Sequence, residues 1–145
     1  MTEPIWQTEV DAERINHLHR ETAVAALGIE FTEVGPDYMR ARMPVDARTV
    51  QPYGLLHGGA SALLAETLAS CAAAHAAPAG RQVVGIEISA SHLRGVRRGG
   101  QVTGLVTPHH LGGTLQVWQV EIVDDAGKPC CVARVSLMTL DPAAR

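Results

Sequence analysis

The sequence predicts an α+β protein in which one antiparallel sheet wraps around a single long helix. Three observations predict it. Residues 59–77 are rich in Ala and Leu and apolar nearly all round, the mark of a helix enclosed by other structure. Everything after Gln82 falls into runs that alternate apolar and polar residues, the period of a strand. Those runs are separated by Gly99-Gly100, by Leu111-Gly112-Gly113 and by Asp124-Asp125-Ala126-Gly127, and Gly and Asp tolerate the positive φ of tight hairpins.

The elements follow in order. Residues 11–27 read as helical, in one or two pieces, with Gly28 as the C-terminal stop, so residues 1–27 form an N-terminal helical segment. Residues 29–34 and 38–45 read as two strands joined by the turn Gly35-Pro36-Asp37. Residues 46–56 connect them to the long helix, which Pro78-Ala79-Gly80 ends. Four strands follow, near 84–90, 102–106, 116–123 and 132–140. A chain of 145 residues is the size of one domain, so 1–145 is read as a single unit.

Composition narrows the function classes. Apolar residues make up 46% and charged residues 19%, a globular balance, and the net charge of −3 leaves no nucleic-acid footprint. The three cysteines, Cys71, Cys130 and Cys131, are odd in number and two are adjacent, which is no disulfide framework; a reducing, cytoplasmic setting is expected. The start Met1-Thr2-Glu3-Pro4 lacks the basic and apolar regions of a signal peptide, and Glu66, Thr67, Ser70 and His75 interrupt the longest apolar stretch, so no membrane span is expected.

Glu66 stands out. It is the only Asp, Glu, Lys or Arg in the 32 residues from 49 to 80. A carboxylate costs several kcal/mol to bury unless it is paired or hydrogen-bonded. It therefore either has a buried partner or is kept for chemistry. Nine residues upstream lies His57, in Leu55-Leu56-His57-Gly58-Gly59. The first N–H groups of a helix have no internal partner and carry partial positive charge, and glycine lets a ligand approach them closely. Gly58 is thus an oxyanion donor for a carbonyl that becomes tetrahedral. Glu66 is about 10–12 Å further along the same helix, too far to share one carbonyl with Gly58. The spacing points to a site built from two copies of the chain, their helices antiparallel across a twofold axis. Ser70 shares a helix face with Glu66, and Thr67 is adjacent; either hydroxyl can orient a carboxylate or a water.

Each residue alone has a plainer reading. A lone Glu on an apolar helix usually snorkels or pairs with a cation, His57 alone is a loop histidine, Gln51 alone is uninformative, and Ser or Thr in a helix most often bonds back to a carbonyl. The combination carries the chemistry.

The string from Gln51 to Ser61, Gln-Pro-Tyr-Gly-Leu-Leu-His-Gly-Gly-Ala-Ser, followed by Leu64-Ala65-Glu66, closely resembles the hotdog-fold acyl-CoA thioesterases, in the 4-hydroxybenzoyl-CoA and phenylacetate-pathway branch. The resemblance covers residues 28–140. It implies a hotdog fold and hydrolysis of an acyl-CoA thioester, aryl or medium-chain, without cofactor. By this resemblance Glu66 is the carboxylate that attacks the carbonyl or activates water, and Gly58 is the backbone donor. His57 and Gln51 orient the thioester, Ser70 places the water, His92 is close to the ligand, and Arg94 lies near the CoA nucleotide. Together with the spacing argument it implies a dimer at least, and a dimer of dimers, a homotetramer, as the assembly. Two other readings fit less well: a non-catalytic acyl-CoA-sensing module, which has no use for Glu66, and a hotdog hydratase or dehydratase, whose prolines around the histidine are absent from Leu55-Leu56-His57-Gly58-Gly59.

Other chemistries find less support. His109-His110 and His17/His19 do not share faces at ligand spacing, so no metal is expected. Cys71 has no neighbouring base that would make its thiol reactive. Arg94, Arg97 and Arg98 read either as a solvated hairpin end or as a clamp for the phosphates of CoA. Tyr53 and Phe31 hint at an aromatic pocket.

Overall fold

The computed structural model describes residues 2–144. The chain runs α1 (Ala12–Leu18), α2 (Ala23–Ala26), β1 (Glu30–Val34), β2 (Met39–Pro44), α3 (Gly58–Ala76), β3 (Gln82–His92), β4 (Gln101–Leu111), β5 (Leu115–Val123) and β6 (Pro129–Leu140), followed by a 3-10 turn, Pro142–Ala144. All strands pair antiparallel in one six-stranded sheet of order β1-β2-β4-β5-β6-β3. The expected α+β architecture, a sheet wrapped on one long helix, is the observed one.

Local chemistry explains the boundaries. Asp11 caps α1 by accepting from the Arg14 N–H at 2.8 Å, and Thr22 caps α2 by accepting from Val24 N–H. The helical stretch expected over 11–27 is thus two short helices, and Gly28, at φ 74°, turns the chain into β1. Asn16 fastens α1 to the sheet: its Nδ2 donates to Phe31 O at 2.9 Å and its Oδ1 accepts from Phe31 N at 2.7 Å. The four late strands are longer than the alternation alone marked out, because the hairpin ladders continue to the turns.

The core lies between α3 and the sheet. Leu64, Ala65, Leu68, Ala69, Ala72 and Ala73 are inaccessible to solvent. Gly104 of β4 makes the close approach possible: a Cβ there would stand 2.6 Å from Leu68 Cδ1. Fully buried Trp118 donates from Nε1 to Gln116 Oε1 at 2.8 Å, and Gln116 Nε2 donates to Ala73 O at 3.3 Å, tying β5 to the helix.

The apolar character of α3 on every side predicted a helix enclosed by other structure, and a single chain supplies only one side of that enclosure. The sheet covers only part of the helix: Glu66 and Ala74 are exposed and Ala62, Leu63, Thr67 and Ser70 only half-buried, all on one stripe. No ion pair to Glu66 occurs among the described residues.

The N-terminal arm docks on the far end of α3. Trp6 stacks on Trp118 with ring centres 6.3 Å apart, Gln7 N–H donates to His75 O at 2.7 Å, and Thr8 Oγ1 bonds His75 Nδ1 at 2.8 Å. Burial, and secondarily the Arg14 charge, hold the His75 imidazole below its usual pKa. The unfolded chain therefore takes up a proton that the folded chain resists. The contact stabilises fully above about pH 6.5 and is lost as pH falls below that value. The melting temperature is expected to drop between pH 7.5 and 5, and the drop to shrink in His75→Gln; an equal drop in that variant would remove His75 as its source.

Candidate active site

The site begins at the N-terminus of α3. His57 is the N-cap, with extended backbone (φ −69°, ψ 129°) and Nδ1 accepting from Gly59 N–H at 2.8 Å. Its carbonyl accepts from Ala60 N–H at 3.0 Å and Ser61 N–H at 3.2 Å. These bonds satisfy three of the first four amides of the helix. Among the described residues the Gly58 N–H has no acceptor, so it alone remains for a ligand. Because Nδ1 accepts, the neutral His57 ring carries its hydrogen on Nε2 and is a donor there.

Gln51 is fixed in a similar way. Its Oε1 accepts from Tyr53 N–H at 2.6 Å and from Leu55 N–H at 3.3 Å, which leaves the Nε2 amide as the free, donating end. Gln51, Gly58, Ser61, His92, Arg94 and Cys130 line a cavity of about 360 Å³. His92, at the end of β3, packs onto Gly58: a Cβ on Gly58 would meet His92 Nε2 at 2.9 Å. A side chain at position 58 would have to displace the His92 ring. Arg94 stands at this cavity with NH1 3.8 Å from Asp124 Oδ2, a loose pair. Backbone N–H groups of Lys128 and Ala126, each 2.9 Å from Asp124 Oδ1, hold the Asp124 carboxyl below the usual range, with Arg94 adding to them.

Glu66, Thr67 and Ser70 line a second hollow of about 300 Å³, walled by α2 and the α1–α2 turn. The Glu66 carboxylate lies across Gly85 of β3, where a Cβ would stand 2.5 Å from Oε1. The β3–β6 register shifts between Gly85 and Glu87, so a bulge marks the crossing. The first cavity and this hollow have no lining residue in common. One chain therefore brings Gln51, Gly58, His92 and Arg94 together, and Glu66, Thr67 and Ser70 together, but not the two groups. His57 adjoins the first group as its cap and is not among the cavity walls.

Gly85 and Val24 escaped the reading of the sequence, and Ser61 and His19 entered it only in other connections. A glycine inside a strand does signal a bulge or a close approach, and that signal was available for Gly85. Nothing local places His19 beside Glu66. The aromatic hint is corrected: Phe31 is core, 3% exposed, and Tyr53 is 89% exposed on the surface.

Burial disfavours the thiolate form of all three cysteines. Burial pushes Cys71 up to about 12 and, as the main cause, Cys130 up to about 11; Cys130 Sγ donates to Ile122 O at 3.3 Å. Among the described residues no group of three or more His, Cys, Asp or Glu is placed to hold a metal ion, and no helix is long and apolar enough to cross a membrane.

The family model described as "Thioesterase superfamily" matches residues 53–131. The chain is 51% identical over 132 residues to the proofreading thioesterase EntH of Cronobacter turicensis, spanning 91% of this chain and 96% of the relative. It is 44% identical over 136 residues to the 1,4-dihydroxy-2-naphthoyl-CoA hydrolase of Escherichia coli, spanning 94% and 99%. A crystal structure of a thioesterase from Haemophilus influenzae matches with a TM-score of 0.91 at 45% identity, covering 94% of this chain and 95% of that one.

Proposed function

The chain belongs to the thioesterase superfamily and is a thioester hydrolase of the hotdog fold, and from that premise we propose that it cleaves an aryl or medium-chain acyl-CoA into the free acid and CoA. One observation carries the proposal: the capping by His57 leaves the Gly58 amide as the sole open donor of the first turn, at the wall of a cavity sized for a small ligand. In this reading Gly58 N–H and the free Gln51 amide receive the thioester oxygen as charge develops on it. Glu66 then acts on the carbonyl carbon in one of two ways. It adds directly, expelling CoA thiolate and leaving an anhydride for water to open. Or it takes a proton from water whose oxygen adds to the carbon while the C–S bond breaks and the thiolate is protonated. Ser70 and Thr67 hold that water, and His57 Nε2–H and His92 orient the substrate.

The two groups come from different copies in this proposal. The uncovered stripe of α3 carries Glu66. Beside it runs β3, an 11-residue edge strand with Val84 43% and Ile86 52% exposed. A long apolar edge is a template for pairing, and a second copy docked there in twofold fashion covers both features, bringing Glu66 of one chain to Gly58 of the other. A dimer, itself paired into a tetramer, is the proposed assembly, acting on a small cytoplasmic substrate.

Leu55 borders both the Gly58 cavity and a surface hollow formed with Tyr53, Arg97 and Arg98. In this reading the pantetheine arm passes Leu55 toward the nucleotide phosphates, with Arg94 at the wall of the Gly58 cavity. Arg94→Ala is expected to raise KM for CoA thioesters about two- to fivefold, the size of an exposed charge contact, and to leave pantetheine thioesters unchanged. An equal effect on both would detach Arg94 from the nucleotide.

The direct test of the whole proposal is colorimetric detection of free thiol from a panel of aryl, short and long acyl-CoA thioesters. Release is expected from at least one aryl or medium-chain substrate. No release from any of them would leave an acyl-CoA-sensing module as the reading.

A further inference from the structure

We infer that His19 is a specificity residue of the acyl pocket, accepting a hydrogen bond from a ring hydroxyl of an aryl thioester; this rests on the thioesterase reading above. The hollow beside Glu66 is walled on its far side by Val24 and His19 and along the helix by Leu63. Its walls are mainly apolar, and at about 300 Å³ it is at the small end of ligand pockets, about 300–1,000 Å³. That fits a single substituted ring better than a long chain.

The orientation of His19 follows from two contacts. Its ring stacks on Phe31 with centres 5.8 Å apart and planes 17° apart, and Phe31 is anchored in the core. Its Nδ1 is 2.9 Å from Ile15 O. A carbonyl only accepts, so Nδ1 carries the hydrogen, and in the neutral ring Nε2 is left as an acceptor. Among the described residues Nε2 has no hydrogen-bond partner. The hollow thus has in its wall an imidazole held by Phe31 and by Ile15 O, with Nε2 left as an acceptor, and Glu66 lines the same hollow. A phenolic hydroxyl satisfies that nitrogen. A plain benzoyl or alkyl group covers it from water and leaves it unpaired, which is the condition under which polar sites discriminate most strongly.

His19 lines the hollow that also holds Glu66, so the discriminating quantity is the ratio between substrates and not the absolute rate. The experiment compares kcat/KM for benzoyl-CoA and for 2-, 3- and 4-hydroxybenzoyl-CoA. The wild-type enzyme is expected to favour at least one hydroxylated isomer by about tenfold or more, the worth of one well-placed hydrogen bond. His19→Phe keeps the stack on Phe31 but removes the acceptor; the preference should fall to about twofold or less, whatever the absolute rate on benzoyl-CoA. His19→Gln places an amide oxygen near Nε2 and should keep most of the preference. A preference that survives in His19→Phe, or no hydroxyl preference in the wild type, overturns the assignment to His19 while leaving the hydrolase intact. Absence of thiol release from all four and from the wider panel sinks the hydrolase reading and this one with it.

Discussion

Glu66→Gln lowers kcat by at least about 100-fold and leaves the melting temperature unchanged. General acid–base contributions run from about 10² to 10⁴, and loss of a nucleophile costs no less. The fold of the chain should not notice, because Glu66 is exposed in it and makes no ion pair or side-chain hydrogen bond among the described residues. Steady-state thiol release and a thermal melt on the same preparation check both halves. Near-normal turnover would end the assignment of Glu66 to chemistry. A loss of turnover with a lowered melt would mean a structural role instead. Gln is the right replacement, since it keeps the volume over Gly85 and changes only the charge and basicity.

The second large effect is a rescue. Gly58→Val closes the oxyanion position twice over: its side chain drives into the His92 ring, already 2.9 Å from where a Cβ would sit, and screens the open amide. Alone, Gly58→Val and Glu66→Gln are both expected to be nearly inactive. Unfolded and refolded together, the two variants should recover about one quarter of wild-type activity if the site is shared. Half of the randomly formed dimers are mixed, and each mixed dimer holds one site with an intact Glu66 facing an intact Gly58. A site complete within one chain gives no recovery at all. The rise from background to about a quarter is large enough to be read without correction for unequal mixing. Gel filtration that shows an active monomer would contradict the same arrangement.

Much of the candidate site was legible before any coordinates. The N-terminus of α3 at His57-Gly58-Gly59, the open amide and the isolated carboxylate two turns on all follow from helix geometry, which acts over four residues or fewer. Ser70 and Thr67 were placed beside Glu66 by the same period, and they are there. The hairpins were legible because Gly and Asp at Gly99-Gly100 and Asp124-Gly127 act on their own backbone, and Gly99, Gly100 and Gly127 do take positive φ. The exposure of Glu66 in the single chain had no signal in the sequence, because composition reports how apolar a helix is, not which of its faces its own sheet reaches.

Alternation, helix composition and turn chemistry therefore specified the α+β wrap, the start of the long helix and the spacing of Gly58 and Glu66 along it, since each is decided by neighbours in the chain. Three things depended on distant segments meeting. Gly85 lies under Glu66 because the β3–β6 register shifts there. His19 reaches the same hollow because Asn16 and Phe31 pin α1 to β1, some 15 residues away in sequence. The bare stripe of α3 exists because a six-stranded sheet of this curvature encloses a helix on one side only. Such contacts are set by packing and strand register, whose energies sum over the whole molecule and leave no mark in any single stretch of sequence.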